Sequence, residues 1–195
     1  MALPPAASDR QLKHRRSIDV QLFARGDGLW EIDARLLDVK TNDVELAGKV
    51  RPAGTPVHDM LLRLVIDEQA NVLQAGSELD WMPYVGFCDA QADVYSRLVG
   101  LNLLRGFRRG VEDRLGGVKG CTHLSELCRV LPTAVVQAFA GEVIDTHAPG
   151  PSGEPPFQLD RCHALRSDGA AVKLFYPRWY RRSEDEEATS SSLAE

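Results

Sequence analysis

No apolar run in this sequence approaches the roughly 20 residues that a membrane-spanning helix needs, and no basic-then-apolar leader stands at its start. The expectation is a cytoplasmic protein with no membrane partner. Cysteine is scarce. Four of them in 195 residues, widely and irregularly spaced, do not form the framework of a small secreted disulfide domain. A basic excess is also missing. The formal net charge is −5, and residues 183–195 carry five carboxylates (Glu184, Asp185, Glu186, Glu187 and Glu195) with no Lys or Arg. The rest of the chain is therefore balanced, and no global positive field points to nucleic acid as a partner. No internal repeat is found.

What remains is globular composition: 44% hydrophobic and 26% charged residues, in a chain long enough to bury a core without a disulfide or metal. Residues 1–13 contain Pro4 and Pro5 and no periodicity, which predicts a flexible lead-in. The run SEDEEATSSS from Ser183 predicts an acidic, disordered tail over 183–195. Between them, residues 14–182 read as a single α+β domain.

Its first block is β. Apolar and charged residues alternate strictly over 30–36, and Ile18, Val20 and Leu22 alternate upstream. Arg25-Gly26-Asp27-Gly28 between the two runs is hairpin chemistry. A second hairpin is predicted from a strand over 60–66, a turn over 67–71 and a return over 72–79. The second block, 89–145, is helical. Val94, Leu98, Leu101 and Leu104 recur at helical spacing and continue past Gly106 to Phe107, Val111 and Leu115, with a stop at Gly116-Gly117. A second helix starts near His123 and ends near Pro132 or runs on to Phe139. A Pro/Gly linker over 148–156 leads to a last strand or hairpin over 157–180, turning at Ser167-Asp168-Gly169.

The chemistry-bearing residues sit at junctions between elements. His58 lies in Gly54-Thr-Pro-Val-His-Asp-Met60, just before a strand. Cys88 follows a loop and precedes the first helix, while Cys121 and His123 flank Thr122 where the second helix begins. Such junctions bring side chains together while rigid elements hold them. A helix N-terminus also favours a thiolate, which serves as nucleophile and as metal ligand. His58, Cys88 and Cys121, completed by His123 or Asp59, are a suitable set for zinc, which takes imidazole and thiolate in tetrahedral geometry. An open fourth position would make that site catalytic. A metal-free alternative uses Cys121 as nucleophile with His58 or His123 as its base, His58 being the better candidate because Cys and His two residues apart do not face each other reliably. Asp59 or Glu126 offers acid–base chemistry, against the plainer account of Asp59 as a turn residue.

Cysteine is otherwise a small buried hydrophobe, and Cys128, inside the second helix, is assigned to the core. Cys162 and His163 precede the predicted last strand, where at most one of them faces a given site. Arg97, Arg105, Arg108 and Arg109 form a basic stretch, and Arg178, Arg181 and Arg182 surround Trp179 and Tyr180. Such a basic-aromatic end is suited to a phosphate, an acidic ligand or RNA, against the plainer account of a solvated face offset by the acidic tail, which the neutral charge balance favours. Trp81 to Tyr84 would line an apolar pocket or the core.

Two resemblances accompany these readings. Arg25-Gly-Asp-Gly-Leu-Trp-Glu-Ile, Pro56-Val-His-Asp-Met60 and Gly120-Cys-Thr-His-Leu124 resemble a bacterial family known only as a domain of unknown function, over most of the ordered chain. More remotely, residues 54–139 are similar to the iron–sulfur cluster scaffolds of the IscU/NifU type. There Gly54-Thr-Pro56-Val-His58-Asp59-Met60 stands for a first cysteine motif, Cys88 for a second, and Cys121-Thr-His123-Leu124-Ser-Glu126 for a third. His58 replaces that family's first cysteine, one glycine is missing, and the hairpin over 18–40 is extra. This resemblance implies an antiparallel sheet with helices packed on one side and an added N-terminal hairpin, with iron or a cluster as the alternative to zinc. The leading expectation is a zinc-binding protein acting on a small molecule. A metal-free interaction or structural protein and a cysteine-nucleophile enzyme are the alternatives.

Overall fold

The computed structural model describes residues 3–150 and 153–182. The acidic tail expected over 183–195 lies outside the described residues. Residues 3–13 contain a turn but no helix or strand.

Alternating residues build the sheet. β1 (His14–Ala24) and β2 (Trp30–Lys40) form a hairpin. Its turn holds Gly28 at φ +79°, a left-handed conformation that glycine adopts without strain. A short ribbon of β3 (Val44–Leu46) and β4 (Lys49–Arg51) follows, then a second hairpin of β5 (Pro56–Ile66) and β6 (Val72–Trp81). The main sheet is antiparallel in the order β1-β2-β5-β6, and both predicted hairpins are present in it. The β3–β4 ribbon adds to the predicted elements.

Side chains in a strand alternate between faces, so every second residue shares one face. Ile32, Ala34 and Leu36 of β2 and Met60, Leu62, Leu64 and Ile66 of β5 form a buried inner face. Each Leu, Ile or Met buried in this way contributes about 1.5–3 kcal/mol. The outer face is held by cross-strand ion pairs, Arg63 with Asp33 and Arg35 with Asp59.

The helical block differs from expectation in its first half. Residues 94–104 do not form one long α-helix. A 3₁₀ segment (Asp89–Leu98) ends before Gly100, which has φ +83°, and α1 (Phe107–Leu115) begins only after Gly106 at φ +66°. The intervening backbone bonds to the β5–β6 turn instead. Gly100 N–H donates to Val72 O, Val72 N–H to Leu101 O, and Leu103 N–H to Ala70 O, each at 2.8–2.9 Å. Asn102 Nδ2 adds bonds to Gln69 O and Asn71 Oδ1. These tertiary bonds outweigh the helical spacing of the leucines. α2 (Thr122–Phe139) runs past Pro132, as the longer of the two expected endings had it. Its buried stripe is Leu124, Leu127, Cys128, Leu131 and Val135, so Cys128 is core.

The chain divides into two compact units, Met1–Ala138 and Phe139–Glu195. In the second, the strand or hairpin predicted over 157–180 is absent. Two 3₁₀ turns (His163–Leu165 and Pro177–Trp179) flank a short α3 (Ala170–Phe175). The predicted turn at residues 167–169 is there, with Gly169 N–H on Arg166 O at 2.8 Å. Ala170-Ala171-Val172-Lys173-Leu174 then favours helix over strand, and Pro177, lacking an N–H, marks its end.

Candidate metal centre

The inner face of the sheet ends in polar residues. Asp38 continues the row of Ile32, Ala34 and Leu36 on β2, and His58 continues the row of Met60, Leu62 and Leu64 on β5. Strand register sets Asp38 opposite Arg16 of β1 on one side and opposite His58 of β5 on the other. Arg16, Asp38 and His58 therefore form one row across three strands. α2 brings His123 over this row, and its ring lies 3.8 Å from the His58 ring, centroid to centroid.

Asp38 is the hub. Its side chain is 3% exposed, a position a carboxylate keeps only when fully partnered. Arg16 grips it in two places, Nε to Oδ1 and Nη2 to Oδ2, both at 2.8 Å. His14 Nε2 lies 3.0 Å from Oδ1 and His58 Nδ1 3.0 Å from Oδ2. Four donors fill the roughly four lone-pair sites of a carboxylate. The remaining guanidinium nitrogen of Arg16 donates to Glu126 Oε2 of α2 at 2.6 Å.

Burial raises the Asp38 carboxyl, but the bonds and charge of Arg16, followed by those of His58, outweigh it and hold the group at about 2. The carboxylate is thus ionised and can only accept, so His58 must donate its Nδ1–H, which leaves Nε2 with a free lone pair. His58 titrates below its ordinary value because burial outweighs the pull of Asp38. His123 is lowered too, by burial first and then by the neighbouring His58 and Arg16. Both imidazoles are neutral near pH 7, the state in which they bind metals. One donor atom each from Asp38, His58 and His123 lies within 4.8 Å of the other two.

Of the residues predicted as ligands, His58 and His123 come together and Cys121 is adjacent. Its Sγ is 3.8 Å from His123 Nδ1, so this Cys and His do meet despite being two residues apart. The helix start is fixed from below. The buried Tyr95 hydroxyl accepts from Cys121 N–H and donates to Cys121 O, both at 2.9 Å, and Ser125 N–H closes the first helical turn on Cys121 O. Burial pushes the Tyr95 phenol up to about 12. Gly120 permits this approach. A Cβ there would stand 2.8 Å from Leu115 O and 3.1 Å from Tyr95 Oη.

Cys88 is half-buried and does not belong to the three-residue donor group. Asp59, next to His58 in the strand, faces the other side of the sheet, where Arg35 holds it at 2.7 and 2.5 Å. Glu126 reaches the cluster through Arg16. Cys162 and His163 are exposed in the second unit. Trp81, Pro83 and Tyr84 line a groove of about 480 Å³ beside Lys49 and Arg51, with the Arg51 guanidinium 5.1 Å from the centre of the Trp81 ring. Asp38, Arg16 and His14 escape the sequence reading, although alternation continued from Leu36 to residue 38 puts a carboxylate in an apolar row.

An antiparallel sheet capped at one end by a His/Asp cluster defines an α+β protein with a compact donor group, and no activity follows from the fold alone. The chain belongs to the family described as "Protein of unknown function (DUF2889)", whose model matches residues 14–137. That span covers the Arg25, His58 and Cys121 strings and every residue of the cluster. No curated protein and no solved structure matches the chain, and nothing in these comparisons supports a relation to the iron–sulfur cluster scaffolds. Among the described residues, no helix is long and apolar enough to cross a membrane.

Proposed function

We propose that this protein binds one zinc ion through His58 Nε2 and His123, with Asp38 holding the His58 ring by its Nδ1–H, and acts on a small molecule at the coordination positions those ligands leave open. The observation that carries the reading is the convergence of three donor atoms, from β2, β5 and α2, within 4.8 Å of one another. Neutral imidazoles are ligands of catalytic zinc, and a carboxylate accepting from the other ring N–H fixes the tautomer and orientation in which they bind. When bound, zinc would supply a Lewis acid and an acidified water, which directs the search to hydrolytic or lyase chemistry. Iron(II) is second, since the same ligand types also suit it. A cluster ranks lower, because clusters are held mainly by thiolates and the donor group contains none. A cytoplasmic setting belongs to this reading and would keep Cys121 reduced.

The test is metal per chain, with a visible spectrum, in untagged protein purified without oxygen. About one zinc per chain is expected in the wild type, with loss in His58→Ala and His123→Ala. A wild type without metal, or variants that keep it all, would overturn the proposal.

One contact favours a second reading. Cys121 Sγ lies 3.8 Å from His123 Nδ1, which suits a thiol activated by an imidazole. In that case Cys121 alkylates rapidly near neutral pH in metal-free protein, and His123→Ala slows it at least tenfold.

A further inference from the structure

Asp38 has no acceptor site to spare, and its strongest partner is a cation. Arg16 holds both oxygens at 2.8 Å while its third nitrogen is tied to Glu126, so the guanidinium is anchored at both ends, between β2 and α2. Any metal ion that uses Asp38 as a ligand must first displace a paired, bidentate guanidinium. The two imidazoles are not closed in this way. His58 gives only its Nδ1–H to Asp38, which leaves Nε2 for a ligand, and the His123 ring lies 3.8 Å away, centroid to centroid.

We propose that Arg16 is the specificity-determining residue of this site: by occupying both oxygens of Asp38 it disfavours oxygen-seeking cations and leaves the imidazoles to zinc. The proposal rests on the zinc reading above. Its chemical basis is the unequal cost of displacement. Mn²⁺, Mg²⁺ and Ca²⁺ bind mainly through oxygen and gain little from imidazole, so they need Asp38 and must displace Arg16 from it. Zinc binds the two imidazoles with the Arg16–Asp38 pair intact, so it bears none of that cost. The arginine therefore widens the gap between the two kinds of ion.

The experiment is titration of metal-free wild type, Arg16→Lys and Arg16→Gln with Zn²⁺, against a chelating dye, and with Mn²⁺, by the electron paramagnetic resonance of the free ion. Arg16→Gln should tighten Mn²⁺ by about tenfold or more and Zn²⁺ by less, so that the zinc-over-manganese ratio falls. Arg16→Lys keeps the charge without the two-pronged grip and should fall between. It also keeps the test decisive if the glutamine variant loses its fold, which far-UV circular dichroism checks. An unchanged ratio in the folded variants would overturn the role of Arg16 while leaving zinc binding intact. A wild type that takes no zinc, beside a variant that takes Mn²⁺, would overturn the zinc reading and keep Arg16 as the block. No binding by any of the three would end both.

Discussion

Two guanidinium–carboxylate pairs in this sheet are built alike and behave differently. Arg16–Asp38 joins directly opposed residues of β1 and β2, and Arg63–Asp33 joins directly opposed residues of β5 and β2. Both are two-pronged, and the Arg63 pair is the shorter, at 2.6 and 2.6 Å against 2.8 and 2.8 Å. The difference is the face. Asp33 is 23% exposed beside an Arg63 that is 52% exposed, whereas Asp38 is 3% exposed and ringed by imidazoles. Contact length does not rank the two pairs. What each carboxylate would lose on separation does, because water compensates Asp33 and nothing but protein compensates Asp38.

The sharpest contrast comes from removing the inner charge. Asp38→Asn in metal-free protein leaves Arg16 without its main partner and is expected to cost about 2–3 kcal/mol, at the low end for a broken buried pair because Arg16 is itself partly exposed. Urea unfolding measures the loss, and zinc binding should weaken in parallel. A cost below about 1 kcal/mol would place Asp38 in the same class as a surface residue.

Acid should reproduce part of that loss without mutation. The folded chain keeps Asp38 ionised down to about 2, while the unfolded chain protonates it near the ordinary 3.8. The stabilisation is complete above the unfolded value and is lost as pH falls from about 4 to about 2, by about 2 kcal/mol. His58 and His123 act in a higher window. Both titrate below 6.5 when folded, so as pH drops below 6.5 the unfolded chain takes up protons first and stability falls, levelling once the folded values are passed. Urea midpoints of metal-free protein from pH 8 to 2 should show both declines. Asp38→Asn should abolish the lower one, and His58→Gln should reduce the upper.

The Tyr95 hydroxyl tests whether the α2 start is positioned or merely packed. Tyr95→Phe removes both bonds to the Cys121 backbone and should cost about 1–2 kcal/mol, leaving the Cys121 amide and carbonyl short of one partner. If those bonds also aim His123, zinc affinity falls with stability. If affinity is unmoved, the helix start is held by its packing.

How much of this was written in the sequence depends on whether the signal was local. The hairpins are readable because Arg25-Gly-Asp-Gly and the 67–71 turn carry their own geometry between alternating strands. The α2 start is readable for the same reason, and so is the core place of Cys128 within its stripe. His58, Cys121 and His123 stand out because they are soft donors at junctions. Asp38 does not, since an aspartate near a strand end has an ordinary turn explanation until pairing shows that its row is the buried one. Arg16 and His14 lie ahead of the first clear alternation, so nothing local marks them as partners of a residue more than 20 positions away. Cys88 shows the converse. Its place before a helix is legible, but where its sulfur goes depends on a loop whose path no spacing fixes. The failed helix over 94–104 has the same cause, because its competitor is the distant β5–β6 turn.

The smallest effect completes the contrast with the inner pair. In a double-mutant cycle of Asp33→Asn and Arg63→Gln, the coupling should stay below about 1 kcal/mol despite the ideal geometry, because both charges keep much of their hydration when separated. Raising salt from 0.05 to 0.5 M, both approximate, should shrink it further, since exposed charges are screened within about 10 Å. The equivalent cycle at Asp38 and Arg16 should give a larger coupling that salt changes little. Equal couplings, equally sensitive to salt, would mean that the inner face is wetter than its burial implies, and the selectivity argued for Arg16 would lose its physical basis.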